Sequence, residues 1–183
     1  MKPRCPEYVK ESMDPEQVEH CIRDKFGESV LSLELRERNG GKNNEVSYRD
    51  LWISVDKSRF LDLVDALREL DFLHFHIMSG DDTGKYVQLN YHFSLFRCAG
   101  RGKRLGITVT VDVPKTDLVM PSLWGRIPGT EYSEREIREM LGVDFDGLPN
   151  KNLIFLPEDW NEEIKPWRRD ETGPKPEDIR ELS

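Results

Sequence analysis

Between Leu73 and Val113, apolar residues recur at every second position through three successive runs. The first holds Leu73, Phe75 and Ile77, and the second Val87, Leu89, Tyr91, Phe93 and Leu95. Leu105, Ile107, Val109, Val111 and Val113 make the third. A period of two marks strands with one face in a core and the other in water. The breaks between runs, "SGDDTGK" and "CAGRGK", carry the residues that turns need. Three strands joined this way make a consecutive meander. Because one face only is apolar, helices are expected on one side of the sheet.

The flanking sequence supplies those helices. Asp14-Pro15 places an N-cap before a proline at the first helical position, and Val18, Cys21, Ile22 and Phe26 follow at steps of three and four up to Gly27. "SVLSLELRER" then reads as a strand, "NGGKNN" (39–44) as a turn-rich loop, and Leu51, Ile53 and Val55 as a second strand. Asp56 is placed to cap a helix whose apolar face is Phe60, Leu63, Val64, Leu67 and Leu70. With one helix after the meander the order is α-β-β-α-β-β-β-α. The fold class is α+β: a mixed, mostly antiparallel sheet with helices packed on one face, followed by an extended C-terminal arm.

Size and charge narrow the function classes. The 183 residues fit one domain with an arm, and a hydrophobic share of 37% allows a modest core. A net charge of −8 argues against a nucleic-acid partner, which selects basic surfaces. Glu, Lys and Arg are abundant beside only Gln17 and Gln88, a thermophile-like composition. Cys5, Cys21 and Cys98 are an odd number without CxxC spacing, which fits a reducing compartment. No signal-peptide pattern opens the chain, and no apolar run approaches the roughly 20 residues of a membrane span. Any membrane contact is therefore expected through partners.

Residues with chemical potential are few. His74, His76 and His92 share the polar face of the meander, and three imidazoles on one face are the start of a zinc site. No spacing fixes a fourth ligand. A stand-alone metal-binding or enzymatic protein using this face is the rival reading. Asp81 and Asp82 form a carboxylate pair, but they lie between glycines where turn chemistry accounts for them. "GRG" (100–102) lacks the rest of a phosphate loop.

The densest pattern is "SEREIREMLGVDFDGLPNKNLIFLPEDW", from Ser133 to Trp160. Ser133 and Glu136 have capping-box spacing; Ile137, Met140 and Leu141 form an apolar stripe; Gly142 suits the position after a helix. Leu153 to Leu156 read as an apolar strand. Beyond Pro157 the chain is rich in charge and proline, with sparse anchors at Trp160, Ile164, Trp167 and Ile179. Such a segment buries too little to fold alone. The expected division is a domain over 1–156 and an arm over 157–183, mobile until a partner covers its tryptophans.

This block resembles the C-terminal signature of the thirty-kilodalton subunit family of respiratory complex I. The resemblance rests on Pro121-Ser122, Glu134-Arg135-Glu136, Met140, Gly142, Phe145, Gly147 and Pro149. It continues through Ile154, Leu156, Pro157, Asp159, Trp160 and "KPWRRD" (165–170). Where the family pattern has an aromatic, Asp, Phe and His, this chain has Tyr132, Glu139, Leu141 and Leu148, and Asn152-Leu153 replace paired arginines. Those departures are similar to the subunits of archaeal membrane-bound hydrogenase and sulfane sulfur reductase complexes. The resemblance implies a scaffold subunit with no catalytic site and no cofactor of its own. It would lie on the cytoplasmic side of the cell membrane, packed on a large catalytic subunit beside a small iron–sulfur subunit that carries the clusters. The oxidoreductase complex would couple electron transport to ion translocation. Glu134, Arg135, Glu136, Trp160, Ile164, Trp167, Arg168, Arg169 and Asp170 are the residues the resemblance points to for docking.

Overall fold

The structure, a computed structural model, describes residues 8–43 and 46–178. Cys5, Asn44 and Ile179 lie outside the described residues. The elements are α1 (Pro15–Phe26), β1 (Val30–Gly40), β2 (Val46–Val55), α2 (Phe60–Leu70), β3 (His74–Asp82), β4 (Tyr86–Leu95) and β5 (Leu105–Pro114). β6 (Val119–Pro121), α3 (Glu131–Leu141) and β7 (Asp144–Asp146) follow. The α+β reading holds: β1 to β5 form one mixed sheet in the order β1-β2-β5-β4-β3. β1 runs antiparallel to β2, whereas β2 and β5 are parallel, with Leu51 opposite Ile107 and Ile53 opposite Val109. The meander is present as the neighbours β5, β4 and β3.

The chain divides into two compact units. The first takes the described residues through Ile77 together with Asn90–Val111. Its core is Val18, Ile22 and Phe26 from α1, Phe60, Leu63, Val64 and Leu67 from α2, and Leu51, Ile53 and Val55 of β2, Tyr91, Phe93 and Leu95 of β4, and Leu105, Ile107, Val109 and Val111 of β5. Each such buried side chain contributes about 1.5–3 kcal/mol relative to exposure. Phe60 lies against Tyr91 with ring centroids 4.4 Å apart. Asp71, buried just after α2, accepts the Val9 N–H (2.9 Å) and the Phe96 N–H (2.6 Å). Phe96 has φ of 60°, a left-handed conformation that costs a bulky residue about 1–2 kcal/mol. The Asp71 hydrogen bond pins that turn.

The second unit takes Met78–Leu89 and the described residues from Asp112 on. α3 buries Ile137, Met140 and Leu141, and β6 and β7 form a short parallel pair joining Met120 to Phe145. Position 80 must be glycine: a Cβ there would lie 2.5 Å from Leu141 Cδ1 and 2.9 Å from Ile137 Cδ1.

Three local expectations change. Ile77 does not join Leu73 and Phe75; it is 55% exposed, because the inward positions beyond it are Met78, Gly80 and Asp82, one residue out of phase. Ser133 is not the cap of α3. The helix begins at Glu131 after a 3₁₀ turn over Pro128–Thr130, so Ser133 lies inside the first turn. Residues 153–156 form no strand; the N–H groups of Ile154, Phe155 and Leu156 are taken by a side chain of α3 instead of a neighbouring strand.

Candidate docking surface

α3 carries four charged side chains directed at backbone. Glu134 is fully buried; its carboxylate accepts the Leu123 N–H (2.7 Å), the Ser122 hydroxyl (2.5 Å) and the Thr130 hydroxyl (3.2 Å). Ser122 Oγ in turn accepts the Trp124 N–H. Burial pushes the Glu134 pKa up, although these three donors pull the other way. One turn further, Glu139 accepts the N–H groups of Ile154 (2.9 Å), Phe155 (3.0 Å) and Leu156.

Between these carboxylates, the Arg135 guanidinium donates to the Asn152 carbonyl at 3.0 and 2.9 Å and to Leu153 at 3.3 Å. Arg138 donates to the Lys151 carbonyl at 3.0 Å and to Glu162 at 3.2 Å. A helix surface thus acts as the missing strand for residues 151–156. The physical requirement is plain: a partly buried backbone without a ladder must find other partners.

The segment beyond Pro157 returns to its own unit. Trp167 N–H donates to the Met140 carbonyl, Arg168 Nη1 to Leu141, and Trp160 Nε1 to Ile164. Arg168 also reaches Asp82 (3.3 Å) and Asp170, while Lys115 Nζ lies 2.7 Å from Asp82 and 2.6 Å from Asp170. The Arg169 N–H donates to Asp82 at 2.8 Å, and its guanidinium pairs with Asp81 at 2.8 Å. Burial works against charge on Asp82, yet the Arg169 N–H, Lys115 and the Gly84 N–H outweigh it and hold its pKa at about 2. Asp170 is likewise held well below the usual carboxylate range: burial is outweighed by Arg168, Lys115 and Thr172. The arm, expected to be covered only by a partner, makes these contacts within its own unit. Two well-coordinated aspartates fasten residues 165–172 without an apolar core.

The residues expected to dock therefore divide. Glu134 and Arg135 are buried and committed to internal hydrogen bonds, and Arg168 and Asp170 to the Asp82–Lys115 cluster. Glu136, Trp160 and Ile164 are half-buried; Arg169 and Trp167 are exposed. What these hold outward is aromatic: Tyr132 is 67% exposed, Phe155 62%, Trp167 44% and Trp124 37%. Arg135 links two of them, its guanidinium 5.4 Å from the Tyr132 ring and bonded to carbonyls just before Phe155. Tyr132 and Glu139 entered the sequence reading only as departures from the family pattern, and Trp124, Phe155 and Lys115 were not singled out, because only folding brings them beside the signature.

The histidine face is arranged otherwise. His76 Nε2 lies 2.9 Å from Ser94 Oγ, His92 Nδ1 3.1 Å from Thr108 Oγ1, and His74 Nε2 3.5 Å from an Arg97 nitrogen. Burial first, and the neighbouring arginines second, lower the His74 pKa. Among the described residues no three His, Cys, Asp or Glu side chains are placed to hold a metal. No helix among them is long and apolar enough to cross a membrane.

The profile of the respiratory-chain NADH dehydrogenase 30 Kd subunit covers residues 53–177, and the chain belongs to that family. It is 32% identical over 159 residues to the membrane-bound hydrogenase subunit beta of Pyrococcus furiosus, covering 86% of each chain. It is also 32% identical over 123 residues to an NADH-quinone oxidoreductase subunit of Mycolicibacterium gilvum, spanning 63% of this chain and 52% of that one. It spans 22% of formate hydrogenlyase subunit 5 of Escherichia coli, at 31% identity. A chain of the membrane-bound sulfane sulfur reductase, an archaeal respiratory membrane complex, has the same fold at a TM-score of 0.62 and 19% identity, covering 84% of this chain and 83% of that one.

Proposed function

We propose that this chain is a non-catalytic scaffold subunit in the cytoplasmic peripheral arm of a complex I-like membrane-bound oxidoreductase of hydrogenase or sulfur-reductase type. It packs on the large catalytic subunit, beside the small iron–sulfur subunit, and binds no redox group itself. It supports electron transfer coupled to ion translocation by holding its neighbours in place. Its contact with the membrane runs through those partners.

One observation carries this reading. The charged residues of the signature are turned inward onto backbone, and the side chains they support outward are the aromatics Tyr132, Phe155, Trp124 and Trp167. Aromatic anchors on a pre-shaped surface are the usual energetic centres of protein interfaces. Relatives described as subunits of hydrogenase and NADH-quinone oxidoreductase support the class of complex.

The test is isolation from native membranes of cells carrying Tyr132→Ser with Phe155→Ser. The altered chain should fold normally and comigrate with the complex at least tenfold less, since one interface aromatic commonly contributes about 2 kcal/mol or more, roughly thirtyfold in affinity. Undiminished comigration would remove the docking surface from this face. A native chain that runs alone would remove the subunit reading altogether.

A further inference from the structure

The loop following β4 concentrates positive charge on a chain whose net charge is −8. Arg97, Arg101, Lys103 and Arg104 occur within "RCAGRGKR" with no acidic residue between them, and all four are exposed. Among the described residues, Arg101, Lys103 and Arg104 have no ion-pair partner, and Arg97 reaches only the neutral-leaning His74 ring at 3.5 Å. Elsewhere on the molecule most cations face carboxylates a few ångströms away, as Lys25 faces Glu69 and Arg59 faces Asp62. Four unpaired cations this close repel one another. The arrangement is an electrostatic cost to the isolated chain.

The loop is held in that arrangement. It starts from Phe96 in its left-handed conformation, pinned by Asp71, and is closed by backbone bonds from Ala99 to Phe96 and from Lys103 to Gly100. Beneath it, on the polar face of the sheet, lies a cavity of about 210 Å³ bordered by Arg104, His76, His92, Ser94 and Thr108. Asp50 also borders it, its charge already countered by Arg38 at 2.5 Å. Gly106 makes room for that carboxylate, since a Cβ there would lie 1.9 Å from Asp50 Oδ1. The cavity lining thus combines hydroxyl and imidazole groups with the Arg104 guanidinium and the Arg38-paired Asp50 carboxylate.

We propose that this loop and cavity receive an acidic segment of a neighbouring subunit, with at least two carboxylates. One is taken by the guanidinium forks of Arg97 and Arg104, and the other lies against Arg101 and Lys103. This rests on the subunit reading above. Planar guanidinium groups match carboxylates with paired hydrogen bonds, which favours a protein acid over a diffuse polyanion. The net charge of −8 opposes approach to a nucleic acid or an anionic bilayer, whose fields act over the whole chain. Screening confines a local patch to partners within about 8 Å, the range of a docked protein surface. No large exposed hydrophobic side chain lies between residues 92 and 113 to enter a lipid layer.

Carbodiimide coupling of the complex isolated from native membranes, followed by peptide sequencing, tests this. Lys103 Nζ should be joined to an Asp or Glu of another subunit. Its reactivity toward a soluble amine reagent should be about tenfold lower in the complex than in the isolated chain. Arg97→Glu with Arg104→Glu, both exposed, should leave the fold intact by circular dichroism and abolish the crosslink. An intact complex in which Lys103 stays fully reactive and uncoupled overturns this proposal alone. Absence of any copurifying subunit overturns the subunit reading and this proposal with it. Binding of the purified chain to phosphatidylglycerol vesicles, lost in the double variant, would assign the patch to a bilayer and also overturn it.

Discussion

In the first unit, α1, α2 and the strands satisfy their own backbone, and the side chains are free to make an apolar core from Val18 to Val109. In the second, residues 147–175 have neither helix nor strand, and charged side chains do the work of a ladder. Glu139, Arg135 and Arg138 hold residues 151–156; Asp82, Lys115 and Asp170 hold residues 165–172. The difference teaches how to read a signature rich in Glu and Arg. Such residues need not face a substrate or a partner. Here they fix the path of a chain that has no strand to pair with.

The sharpest way to break this contrast is Glu139→Leu. Three N–H groups lose their acceptor at once, and each unsatisfied group costs about 1–3 kcal/mol when water is excluded. The expected loss is about 3–4 kcal/mol in chemical denaturation, with hydrogen exchange fastest at 154–156. A loss below about 1 kcal/mol would show that this backbone has other partners.

Gly80→Ala comes next, since its Cβ must displace Leu141 and Ile137. Overpacking of this kind costs about 1–3 kcal/mol, read as a lower melting temperature. An unchanged value would mean that α3 shifts freely over the hairpin tip.

Acid tests the aspartate clasp. Asp82 falls from its ordinary 3.8 to about 2 on folding, so its contribution is complete above about pH 4 and is lost as pH falls through about 2. Over that window the protection factors of the amides of residues 165–172, taken relative to the intrinsic rate at each pH, should fall, for a loss of about 1–2 kcal/mol after allowance for screening. Unchanged protection factors at pH 2 would show that the arm is held by packing instead.

The smallest effect belongs to Ser133→Ala. Capping-box spacing implies a cost of about 1 kcal/mol, whereas a residue inside the first turn should change stability by less than about 0.5 kcal/mol. Thermal melts of the variant separate the two.

The meander, both early helices and the α+β class were legible because period and capping are local signals. The start of α3 was misplaced because Pro128–Thr130 adds a turn before the Ser133 motif. The pairing of Asp82 with Arg168 and Lys115 was invisible: Asp81-Asp82 carries ordinary turn chemistry, and nothing in one sequence ties it to residues far downstream. The same holds for Glu139 and residues 154–156. Regular structure announces itself in the neighbouring residues, while a side chain that replaces a strand does not.

The parallel pairing of β2 with β5 has a further consequence, in time. Leu51 meets Ile107 only after α2, β3 and β4 have been made, so the middle of the sheet is among the later parts to close. Contacts this far apart in sequence bear their loop-closure entropy before they return any burial, which slows folding. While the chain leaves the ribosome, β1 and β2 must wait as a two-stranded ribbon, marginal in water, with the edge of β2 that later meets β5 also unpaired. Mutations that weaken β5 should therefore lower the yield of newly made protein more than the stability of protein already folded.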